Sequence, residues 1–112
     1  MASNLNVFKT VTSELAATNT VIYTAPTGVT SIILMAQVSN VSANTAEVTF
    51  SHFDTSASVE TELVKDFSIP AKDATSVITG KLVLESGDSV KAFSSDVSTL
   101  KLSMSLLETL NA

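Results

Sequence analysis

The sequence predicts an all-β chain folded as a single β-sandwich of about seven to nine antiparallel strands, jelly-roll or immunoglobulin-like. Three observations predict it. Ser, Thr and Val dominate while Arg is missing, and Val and Thr suit a pleated, half-buried surface. Short alternating runs recur at a spacing of about 8–12 residues, the rhythm of sandwiches and barrels. Turn clusters separate the runs, three of them built around Pro or Gly.

Taken in order, residues 7–12 alternate weakly and read as a first, edge strand. Residues 1–14 also read as an N-terminal arm that orders on docking. The next strand, 20–24, is stopped by Pro26, which has no ladder donor. Ala25-Pro26-Thr27-Gly28 is a turn. Residues 29–40 form the strongest strand. Residues 47–53 alternate again and are expected to pair with the strand before them. Residues 59–69 run up to Pro70. Residues 75–84 read as one strand with Gly80 inside it, a mark of a bulge or close approach. Glu85-Ser86-Gly87-Asp88 is a tight hairpin turn, and 89–94 is the return strand. The last strand covers 100–110, with residues 106–110 and 14–18 as minor helical alternatives.

Two strands carry more information. Leu100, Leu102, Met104 and Leu106 alternate with Lys101, Ser103 and Ser105, which gives one buried and one wet face. Ile32 to Ala36 is apolar throughout. Strict alternation puts Ile32, Leu34, Ala36 and Val38 on one side and Ile33 and Met35 on the other. A thin sandwich with a strand apolar on both faces needs cover from a loop or another subunit. The candidate subunit contacts are therefore Ile33 and Met35, with Leu106, Leu107 and Leu110 at the C-terminal end.

The 112 residues suffice for one domain, 1–112, with no linker to divide it. Without cysteine, disulfides and thiolate metal sites are closed to it. Charged residues make up 15%, against about 25% in ordinary soluble domains, and mean hydropathy is +0.36. Such sparse charge points to an oligomer or a docked subunit. The net charge of −5 without a single arginine argues against nucleic acid, whose phosphates are met by cations. It argues equally against anionic membranes. The first residues, Met-Ala-Ser-Asn-Leu-Asn, lack the pattern of a secretory leader, so synthesis in the cytoplasm is expected.

Little in the chain suggests chemistry. His52 is the sole histidine and reads as a strand residue rather than a base or ligand. Glu60 and Glu62 share a face by period two and read as a solvated surface. Asp88 reads as a turn residue bonding its own backbone. The six aromatic residues fall mostly within alternating runs and are expected in the core. No nucleophile elbow, phosphate loop or metal cluster is present, so no enzyme activity, catalytic residue, metal or cofactor is expected.

Three stretches belong together in this order: 21–30 (VIYTAPTGVT), 66–70 (DFSIP) and 80–90 (GKLVLESGDSV). Their combination resembles small virion structural proteins of tailed bacteriophages, of the cyanophage and marine-phage type. The resemblance covers residues 20–108 and implies a β-sandwich packed repeatedly on a particle. It implies a capsid decoration (cement) protein of the head, homo-oligomeric and often trimeric, partnered by the major capsid protein. Neck or tail subunits and carbohydrate- or receptor-binding modules are the alternatives. No catalytic residue comes with the resemblance.

Overall fold

A computed structural model describes residues 6–111. Among them are nine strands and no helix. They are β1 (Asn6–Glu14), β2 (Thr20–Thr24), β3 (Val29–Asn40), β4 (Ala46–Asp54), β5 (Val59–Ile69), β6 (Ala74–Ser76), β7 (Leu82–Leu84), β8 (Ser89–Ser94) and β9 (Leu100–Leu110).

All pairings are antiparallel, and they fall into two sheets. One runs β1-β9-β3, with both β6 and β7 on the far edge of β3; the other runs β2-β8-β4-β5. The pairings nest. β1 meets β9, β2 meets β8, β3 meets β7 and β6, and β4 meets β5. A chain folded back on itself in nested pairs and then rolled into two sheets is a jelly roll, which decides between the two expected topologies.

The nesting corrects one expected pairing. β4 lies between β8 and β5, not beside β3, because the connection 41–45 crosses from one sheet to the other. Asn40 anchors that crossing: its side-chain amide donates to the carbonyls of Asn44 and Ile69, and its Oδ1 accepts the Ser42 amide. The expected strand 75–84 is two short strands, because residues 77–81 leave the ladder between β6 and β7 and Gly80 there takes a φ of +80°. No helical turn forms at 106–110, where β9 runs unbroken to Leu110. Residues 6–14 of the expected arm are β1, paired with β9 along its whole length. Residues 1–5 of that arm lie outside the described residues.

The core fills the space between the sheets. Phe50, Val48, Val90 and Ala92 come from one side; Ile33, Ala36, Val38, Leu84, Leu102, Met104 and Leu106 come from the other. Phe50 is the only phenylalanine in it; Phe8 and Phe67 are exposed, contrary to their expected burial. Both sit on edge strands, where one flank of a side chain has no neighbour.

Candidate interaction surface

Of the polar groups that sequence singled out, His52, Glu60 and Asp88 are held by internal bonds. Asp88 is buried in the turn between β7 and β8. Its carboxylate accepts the amides of Thr55 at 3.1 Å and Glu85 at 3.2 Å and lies 3.3 Å from His52 Nε2. Asp88 thus ties its own turn to the turn after β4, and His52 is part of that tie. Among the described residues no hydroxyl is hydrogen-bonded to the His52 ring. Glu60 accepts from Asn19 at 2.9 Å and meets Lys91 at 3.4 Å. The hydrogen bond from Asn19 is the main cause of its lowered pKa. No cluster of three metal-ligating side chains occurs among the described residues.

A polar group that sequence reasoning passed over is Glu108. It has the parity of Leu102, Met104 and Leu106, so its carboxylate points between the sheets and is buried. Tyr23 donates its hydroxyl to Glu108 and also bonds Ser31 at 2.7 Å; Lys9 reaches Glu108 at 3.1 Å. The hydrogen bond from Tyr23, ahead of that from Lys9, holds the Glu108 carboxyl below its usual range. Burial, and then the bond to Glu108, pushes the Tyr23 phenol up to about 12. The cluster joins β2 of one sheet to β1, β3 and β9 of the other. An acid on the parity of an apolar strand face was the signal available in the sequence.

The outer faces of the sheets differ. On the β2-β8-β4-β5 sheet, Lys91 pairs with Glu60 and stands 5.4 Å from the Phe53 ring centroid. The face of the β1-β9-β3 sheet carries a continuous apolar row instead. Register places Phe8 opposite Leu107, Leu107 opposite Ile32, and Ile32 opposite Val83. Residues directly opposite point to the same side of a sheet. The row therefore crosses β1, β9, β3 and β7. Phe8 is 73% and Val83 53% exposed, with Ile32 and Leu107 half-buried between them. Met35 adds a further exposed side chain beside the row.

This face revises the expected contact set. Ile33 and Leu106 are fully buried in the core and present no surface to a partner. For Leu106 the reason is the alternation it shares with Leu102 and Met104; for Ile33 it is a β-bulge. Ile33 pairs with Leu106 and Met35 with Ser105, which leaves Leu34 as the extra residue. A bulge shifts the alternation by one. Ser31 and Ile33 thus point inward before it and Ala36 and Val38 after it, while Ile32 and Met35 both lie on the outer side. Met35, Leu107 and Leu110 keep their place at the surface. Phe8, Ile32 and Val83 were not in the expected set; strand register, which sequence does not give, is what aligns them.

Other surfaces are less organised. The exposed Val59, Leu63 and Phe67 lie along the single edge strand β5. An open groove of about 460 Å³ on the β1-β9-β3 face is lined by Thr12, Glu14, Met35, Gln37, Lys101 and Ser103, with no aromatic platform. No helix of the described residues is long and apolar enough to cross a membrane.

No protein-family model matches the chain, and no curated protein matches its sequence. Solved structures match its fold. A chain from Bacillus endospore appendages, a family of disulfide-linked pili, superposes with a TM-score of 0.59 at 11% identity, over 96% of this chain and 88% of that one. A chain from the acid-stable capsid of Helicobacter pylori bacteriophage KHP30 gives 0.57 at 10% identity, over 99% and 92%. A chain from the T=13 infectious bursal disease virus particle gives 0.56 at 8% identity, over 98% of this chain but only 32% of that one. At such identities the shared property is the jelly roll itself.

Proposed function

We propose that the chain is a structural protein of a bacteriophage virion, a subunit that decorates the assembled head by seating where capsomers of the major capsid protein meet. The observation that carries the reading is the fold match to a chain from the KHP30 capsid, which spans nearly the whole of both chains. The sequence resemblance to small phage virion proteins points the same way. So does the molecule's character: His52, Asp88, Tyr23 and Glu108 are engaged in internal bonds, and its outer apolar row calls for cover. The absence of cysteine sets the chain apart from the disulfide-linked appendages that share its fold.

Decoration of this kind works by mass action. A subunit that binds only the assembled lattice stabilises that lattice by about 2.7 kcal/mol per site at a hundred times its dissociation constant. No bond needs to be made or broken, and the subunit needs no cofactor. A carbohydrate-binding role finds no such support: the Tyr23 hydroxyl is spent on Glu108 and Ser31, and His52 on Asp88.

The test is to mix the purified chain with heads assembled without it. Saturable binding at a fixed number of copies per capsomer, with a rise in the temperature at which heads burst, is expected. Binding confined to necks or tails moves the subunit to that position on the virion. Absence of binding to any part of the particle refutes the reading.

A further inference from the structure

We infer that the outer face of the β1-β9-β3 sheet is a self-association surface, and that its occupant is the same face of a second copy of this chain. Three properties of the face lead there.

The first is charge. The chain as a whole carries −5, which opposes self-association wherever acids gather. Within its strands this face holds one cation and one anion, Lys101 and Glu14, and register places them directly opposite each other. Lys81 and Glu85, just outside β7, add one of each sign. The remaining outward positions around the apolar row are mostly hydroxyls, among them Thr10, Thr12, Ser103 and Ser105. The face is neutral where the molecule is not.

The second is shape. An axis parallel to the strands relates two copies face to face and lays the apolar row of one on that of the other in reverse order. Phe8 then meets the partner copy's Val83 position, and Leu107 meets its Ile32 position. Large faces small at the ends and equal faces equal at the centre, the pairing that interdigitates well across stacked sheets. On the same axis Thr109 meets the partner copy's Thr30 position, Ser103 its Gln37 position and Ser105 its Met35 position. An isologous contact requires this kind of self-complementarity.

The third is area. Four strands at about 4.8 Å and a longest strand of twelve residues at about 3.4 Å each give a face of about 780 Å². Stable interfaces bury about 800 Å² per partner. A two-fold contact closes at two copies, so the unit in solution is a dimer and not the trimer that the resemblance implies. The inference does not depend on the virion reading, because it concerns the purified chain alone.

Sedimentation equilibrium of the full chain tests it, with Phe8→Lys and Val83→Glu as variants. Both positions are more than half exposed, and thermal unfolding verifies that the variants fold. The wild type is expected to be a dimer. Each variant alone should dissociate at least about tenfold more readily. An equimolar mixture of the two should regain association, because the substituted position 8 of one copy then faces the substituted position 83 of the other. A wild-type monomer across the micromolar range, a trimer, or a dimer that both variants leave intact would overturn the inference.

Discussion

Glu108 shows how much a single side chain settles in this fold. Its carboxylate is placed between the sheets by strand parity and kept there by Tyr23 and Lys9. Because its folded pKa lies below the ordinary 4.5, its contribution to stability is present above that value. That contribution is lost as pH falls through the lowered value. The melting-temperature gap between wild type and Glu108→Gln should therefore be widest near neutral pH and close in acid. Tyr23 behaves in the opposite sense: its contribution is complete below pH 10 and lost as pH rises through about 12. As the only tyrosine, it can be followed alone by phenolate absorbance. In Glu108→Gln its titration should move down yet stay above 10, since burial is the larger cause. A second residue-scale expectation concerns Lys72, held at a φ of +59° in the turn closed by the Asp73 amide on the Pro70 carbonyl. Lys72→Gly should raise stability by about 1 kcal/mol in chemical denaturation, because glycine takes that conformation without a Cβ penalty. The bond of Asp88 within its own turn, to the Glu85 amide, was legible from turn composition, but its ties to Thr55 and His52 were not. Glu108 was legible only in its parity, because its partners come from strands distant in sequence.

At the scale of elements, the strand boundaries were largely readable and the alternation within them was not. Turn chemistry at Pro26, Pro70 and Gly87 marks where strands stop, and the structure stops them there. The bulge at Leu34 carries no such mark; it inverts the facing of everything before it in β3. Beside the bulge, the edge strand is broken: β7 pairs residues 31–33 of β3, β6 pairs 37–39 and the Ala36 carbonyl accepts the Val77 amide, so residues 34 and 35 lie outside both ladders on that side. The two irregularities lie at the same level of the sheet. Because Leu34 is the extra residue, deleting it leaves every other pair of β3 with β9 in register. The deletion should still fold cooperatively with a lowered melting temperature. Deleting Gln37 instead turns one half of the strand inside out, and cooperative unfolding should be lost.

Across the whole molecule, nested pairing gives a jelly roll whose two outer faces differ in kind. One carries the Lys91–Glu60 pair, and the other is crossed by an apolar row and neutral overall. The sandwich was readable from alternation and turn spacing. The apolar row was not, since its four members come from four strands and meet only through register. Under the proposed particle role, a molecule built this way acts by being covered and repeated. The most direct test is the sedimentation of the purified chain with phage heads assembled without it. The account predicts that the chain pellets with the heads, saturating at a fixed ratio to the major capsid protein. A chain left wholly in the supernatant at every concentration would contradict it.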